Sequence, residues 1–201
     1  MYSSERAKNI VKKDVVYLPA GIHDDVQLVS AKTEVSPTGS RFVEIRFQKE
    51  GKMLTHTEWE PNRRADETED QFQVKCDNQF KRFDQILECF YSKAEDRAFI
   101  GENFAQLAAW VVEKLNNADK SILVRIKVVY NNNGYTTLPK YAVYTFIEPM
   151  SKVNEGKSVI VELGIDNFTK PVVADIEKSN PSPFASTTAS EDNDNVSSLP
   201  F

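Results

Sequence analysis

Apolar and polar residues alternate with period two in three successive runs of the first third of the chain. Asp25–Val35 (DVQLVSAKTEV) is rich in β-formers, and Ser36–Ser40 (SPTGS) is a turn cluster with Pro and Gly. Arg41–Lys49 (RFVEIRFQK) places Val43, Ile45 and Phe47 on one face and Phe42, Glu44 and Arg46 on the other. Glu50–Lys52 (EGK) signals a tight hairpin, and Met53–Glu60 (MLTHTEWE) returns as a third strand, which completes an antiparallel meander. The period then changes. After the charged link PNRRADETED, Cys76, Phe80, Phe83, Leu87 and Phe90 recur at helical spacing, with Asp70 and Gln73 placed to cap that helix. A second helix is predicted over 102–116, where Phe104, Leu107, Ala108, Val111, Val112 and Leu115 form one stripe. Alternation resumes in Ser121–Tyr130 and again in Lys140–Pro149, with a weaker run, Ser158–Gly164, as a candidate edge strand.

Three strands, a helical insertion and two further strands are the element order of an OB-fold, a five-stranded, partly open Greek-key barrel. The expectation is therefore a mainly β domain over residues 1–178, with two helices where that fold has one, followed by a tail over 179–201. From Asn180 onward Pro, Ser, Thr, Asn and acids dominate and apolar periodicity stops, so the tail is expected to be disordered.

Charge changes the picture more than composition does. The net charge is −5, an unpromising sign for a partner of nucleic acid. Yet residues 171–201 hold five acids (Asp175, Glu177, Glu191, Asp192, Asp194) against Lys178 alone, which leaves 24 bases and 25 acids in residues 1–170. A neutral body has room for a basic face. The polar, basic start and the lack of any long apolar run predict no secretory signal, no membrane span and a cytoplasmic location. Cys76 and Cys89 fit a reducing compartment, and their spacing on one helix suits neither a zinc site nor a disulfide framework. No cofactor is expected. Phosphate-binding glycine loops and the GxSxG and HExxH motifs are missing, so no catalysis is expected either. The acids of DETED (Asp66–Asp70) offer a metal-dependent nuclease as a minor alternative, although such a run before a helix ordinarily makes a solvated loop and cap.

An OB barrel grips oligonucleotides on the face of strands two and three, with help from the loops joining strands one to two and four to five. The residues at those positions are Arg41, Phe42, Arg46, Lys49 and Lys52, His56 and Trp59, Arg125 and Lys127, and Tyr130, Tyr135, Lys140 and Tyr141 around the NNNG loop. Rings stack on any base, and cations neutralise phosphates and release counterions. The competing assignment makes these aromatics core and these cations a solvated face, with His56 a surface strand residue. A protein-interaction adaptor with an OB-like body and no DNA affinity is the alternative function.

The chain ends NDNVSSLPF. A polar, acidic segment that stops on Leu-Pro-Phe resembles the tail of bacterial-type single-stranded DNA-binding proteins, in which an acidic run precedes an aliphatic residue and a terminal Pro-Phe. The resemblance implies that Asp192, Asp194, Leu199, Pro200 and Phe201 dock replication, recombination or repair partners. Asn195–Ser198 separates the acids from the tip, a departure from that pattern. Leu18–Ala31 and Val128–Pro149 look like segments of phage-encoded DNA-binding proteins with an OB core, which implies single-stranded DNA as ligand and the host cytoplasm as location.

Overall fold

The computed structural model describes residues 15–171. The expected disordered tail and the partner-binding residues Asp192, Asp194, Leu199, Pro200 and Phe201 lie outside the described residues. The element order is β1 (Gly21–Val35), β2 (Arg41–Lys49), β3 (Lys52–Trp59), α1 (Glu69–Glu88), a 3-10 turn (Ala94–Arg97), α2 (Phe104–Asn117), β4 (Leu123–Tyr130), β5 (Thr136–Thr137), β6 (Ile147–Pro149) and α3 (Met150–Asn154). The strands form one antiparallel system in the order β3-β2-β1-β4-β5, with β6 also on β4.

Strand β1 organises the sheet. Its C-terminal part pairs with β2 and its N-terminal part with β4, and Gln27 is in register with both Gln48 and Leu123. Two irregularities bend it, one between His23 and Val26, where Asp25 has φ +54°, and one between Leu28 and Ser30. The extra residue at each place moves the inward alternation, so that Val26 and Leu28 are buried on one phase and Ala31 on the other. Asn116 of α2 meets β1 beside the second bulge, accepting from Ala31 N at 3.0 Å and donating to Ala31 O at 2.9 Å. The β2–β3 hairpin turns through Glu50 (φ +49°) and Gly51 (φ +77°), the two left-handed positions that a two-residue connection with matching twist requires.

The inward sides of the meander and of β4 meet both helices in one core. Val43, Ile45, Phe47, Phe83, Val111 and Ile126 are all fully buried there. The predicted stripe of the second helix is the packed face, with Phe104, Ala108, Val111 and Leu115 buried. The cap of α1 differs from the expected one. Thr68, not Asp70, is the N-cap: its hydroxyl accepts from Gln71 N, and the Gln71 side chain accepts from Thr68 N. A hydroxyl one residue outside the helix reaches the free amides, and a carboxylate already in the first turn does not. Replacing Thr68 by Ala is expected to cost about 1 kcal/mol, read as a lower urea midpoint at unchanged slope.

The later strands depart further from the pattern. Of Lys140–Pro149 only Ile147–Pro149 is strand, because Tyr141 packs edge-on against Tyr144 (5.4 Å) and Phe146 (6.3 Å), which folds the run back on itself. The two-residue β5 pairs with the end of β4 at Val129 and Tyr130, and β6 pairs with its first half, Val124–Ile126. Ser158–Gly164 is no strand. Side-chain carboxylates take its amides, Glu148 that of Val159 and Asp166 that of Leu163, in place of a ladder. No helix among the described residues is long and apolar enough to cross a membrane.

Candidate nucleic-acid interface

The outer face of the meander is built by the register of β2 and β3. Phe42 lies opposite Trp59, Glu44 opposite Thr57 and Arg46 opposite Thr55. The Phe42 and Trp59 rings make a tilted pair with centroids 4.5 Å apart, and Trp59 keeps 42% of its surface open. An indole half open to solvent on a sheet face, backed by a second ring, is a ready stacking platform. Arg46 lies two rungs away and donates to Glu44 at 2.8 Å, and Lys32 also reaches Glu44, so this part of the face is a mixed-charge strip.

Two clefts open on either side of Trp59, and both are also lined by Lys140. The larger, about 480 Å³, lies between the outer face of β3 (Thr57, Trp59) and the β4–β5 loop (Tyr130, Asn131–Asn133). That loop is shaped by Asn131, whose Oδ1 accepts from the amides of Asn133 and Tyr135, both at 3.0 Å. Tyr135 stands at its far side, 70% exposed. The smaller cleft, about 290 Å³, lies between the end of β3 and helix α1, with Lys75, Asn78 and Arg82 on its helical wall.

Beneath the smaller cleft runs a buried polar chain. Thr137 of β5 bonds His56 Nδ1 at 2.9 Å, and His56 Nε2 lies 3.3 Å from Glu58 Oε1. Arg82 grips Glu58 side-on, Nε to Oε1 at 2.7 Å and Nη2 to Oε2 at 2.8 Å, and Gln79 Nε2 donates to Glu58 Oε2 at 3.2 Å and to Trp59 O at 2.8 Å. Burial by itself would raise the Glu58 carboxyl, but the hydrogen bonds from Arg82 and His56 outweigh it and hold the group well below the usual carboxylate range. The chain joins β3 to β5, which share no ladder, and both of them to α1.

The expected contact residues therefore divide. Trp59, Tyr130 and Lys140 line the clefts, Phe42 packs against Trp59 with Arg41 next to it, and Tyr135 stands at the loop margin. Arg41 reaches Glu60 at 3.6 Å. Lys49 and Lys52 face each other at the opposite end of the hairpin, about 23 Å away for seven residues of strand. His56 and Lys127 are corrections. His56 is 1% exposed and on the inward phase of β3 with Leu54 and Glu58, so it is no surface residue. Lys127 is on the outward phase of β4 but is 0% exposed, because the segment after α3 covers that face. Its ammonium lies 2.7 Å from Asp166 and 5.4 Å from the Tyr141 ring centre. Tyr141 is engaged there too, its hydroxyl 3.3 Å from Asp166; burial and the Asp166 charge push the phenol up. Arg125 is tied to Asp24, Nη2 to Oδ2 at 2.9 Å, and to Ser158 at 2.8 Å, and its hydrogen bond holds the Asp24 carboxyl down. These three side chains brace the sheet.

The cysteines and the acidic link have ordinary environments. Burial pushes the thiols of Cys76 and Cys89 up, away from reactivity. In the link Glu67 pairs with Lys75 and Glu69 with Arg63, and among the described residues no cluster of His, Cys, Asp or Glu has the makings of a metal site. The residues that sequence reasoning passed over are Lys75, Asn78, Gln79 and Arg82. Their spacing, i, i+3, i+4 and i+7, is a polar stripe along one side of α1, legible in the sequence once the opposite side is recognised as core. No protein-family model, curated protein or solved structure matches the chain.

Proposed function

We propose that the protein binds single-stranded DNA without catalysis, laying the strand across the outer face of β2 and β3, over Trp59 and between the two clefts. The observation that carries this reading is the Phe42–Trp59 pair on an open sheet face, flanked by Lys140 and by the Asn131–Tyr135 loop. A stacked base gains from the exposed indole without regard to its identity. Lys140 makes no ion pair among the described residues and is available to a phosphate. The curl of β1, which returns β5 toward β3 through the His56–Thr137 bond, supports a barrel of the OB type, in which this same face and the β4–β5 loop hold the ligand. The terminal Leu199-Pro200-Phe201 then recruits replication or recombination partners, on the strength of its resemblance to bacterial-type tails.

The test is a titration with oligo(dT) followed by tryptophan fluorescence. Trp59 is expected to be quenched, while Trp110, packed against Phe80 and Phe99 on the helical side, stays silent. Trp59→Ala should weaken binding by about 1–3 kcal/mol, the worth of one stacked base. The logarithm of affinity should fall with that of salt at a slope of about −0.7 per phosphate contacted. Equal affinity for single- and double-stranded DNA, or an unaltered Trp59→Ala titration, would exclude the reading.

A further inference from the structure

The cleft between β3 and α1 differs chemically from the open face beside it. Its buried carboxylate, Glu58, has both oxygens filled by Arg82, Gln79 and His56, so it has little left to offer a ligand. Lys75 is committed to Glu67 at 2.6 Å. The third nitrogen of Arg82 is different. Its Nη1 points away from Glu58 toward the carbonyl of Lys140, at 3.5 Å, the outer limit of a hydrogen bond. Lys140 lines the same cleft and makes no ion pair among the described residues. Two cationic residues, Arg82 and Lys140, thus line one cleft together with Trp59. Arg and Lys only donate. The volume, about 290 Å³, lies at the small end for ligand sites and suits one nucleotide, not a run of them.

We infer that this cleft receives a single guanine of the bound strand, stacked on Trp59, with Arg82 Nη1 and Lys140 Nζ donating to its O6 and N7. Guanine is the base whose major-groove edge presents two adjacent acceptors; adenine offers one acceptor and one donor there, and a second donor would face a donor. The pairing of Arg82 with Glu58 supports this recognition, since it orients the guanidinium plane and leaves Nη1, which only the Lys140 carbonyl meets at 3.5 Å, outside the ion pair. The inference rests on the single-stranded DNA reading above and adds a base preference to it.

The experiment changes the ligand, so it needs no altered fold. Oligo(dT) carrying one central dG is compared with the same strand carrying dA, or 7-deazaguanine, which lacks the N7 acceptor. The dG strand is expected to bind at least about fivefold tighter than the other two, the low end of what one bidentate base contact discriminates. In Lys140→Met that ratio should shrink toward one. Equal affinities for all three strands, with oligo(dT) itself still bound, would overturn the guanine pocket and leave the DNA-binding reading intact. Loss of binding to every strand would instead remove both.

Discussion

Replacing Arg82 by Ala is expected to destabilise the protein by about 3–5 kcal/mol, the cost of stranding a buried charge. Glu58 is buried, and Arg82 supplies two of the hydrogen bonds that keep it ionised there. Without them burial dominates, and the carboxyl moves from well below its ordinary value of 4.5 to above it. The direction of pH dependence then reverses. In the native protein the folded-state pKa is depressed, so this group's stabilisation is present above pH about 4.5 and is lost as pH falls through the lower folded value. In Arg82→Ala the raised carboxyl makes neutral pH the unfavourable side, and part of the stability should return as pH is lowered from 7 toward 5. Urea unfolding of both proteins at several pH values checks this. Arg82→Lys keeps the charge but loses the two-pronged grip, and should fall between the two. A variant whose stability loss is the same at pH 5 and pH 7 would show that Glu58 is not the stranded group.

Lys127→Ala is expected to cost a similar 3–5 kcal/mol, because it leaves Asp166 charged and buried. Both partners lie at the 0–1% level of exposure, 2.7 Å apart. The consequences are local as well as global. Asp166 also holds the amide of Leu163, and the neighbouring Asn167 carbonyl accepts from Tyr130 N at 2.8 Å, at the edge of the larger cleft. Breaking the ion pair should therefore release the segment 158–167, seen as faster amide exchange there and at Tyr130 before global unfolding. The double change Lys127→Met with Asp166→Leu removes both charges and should recover most of the loss, because an apolar pair of similar volume needs no compensating partner. If the double variant is as unstable as the single ones, packing and not charge is what this pair contributes.

The two stabilising networks were hidden in the sequence for a common reason. Period-two alternation assigns a residue to a face but does not say what covers that face. On β2 the alternation was sufficient: Val43, Ile45 and Phe47 are buried and Arg46 is exposed, since only the inner face meets the helices. On β3 the same phase carries Leu54, His56 and Glu58 inward. Two polar residues on an inward phase go unrecognised until a partner is known, and that partner, Arg82, is 24 residues further on. On β4 the outward phase of Arg125 and Lys127 is covered by a segment more than thirty residues later, which turns expected phosphate contacts into braces. The stripe of the second helix was legible because 3.6-residue periodicity and a single packed face leave little choice, whereas α1 buries Gln79, Phe83, Ile86 and Leu87 and leaves Cys76 and Phe80 of the expected stripe only partly covered. The cap was misplaced by two residues because Thr68 and Asp70 are both good capping types and only the backbone decides between them.

Local pattern by itself determined the meander, the tight Glu50–Gly51 turn, both long helices and the apolar face of the second, and it named Phe42 and Trp59 among the candidate contacts. These are consequences of short-range sterics and of the burial of one face, which neighbouring residues encode. Tertiary structure alone decided that Lys140 and Arg82 line one cleft with Trp59, that His56 and Lys127 are interior, and that Thr136–Thr137 and Ile147–Pro149 each pair with part of β4 where one strand, Lys140–Pro149, was expected. Those outcomes depend on two bulges in β1 and on which distant segment reaches a carboxylate first. Contacts between residues dozens of positions apart leave no period in the sequence to read.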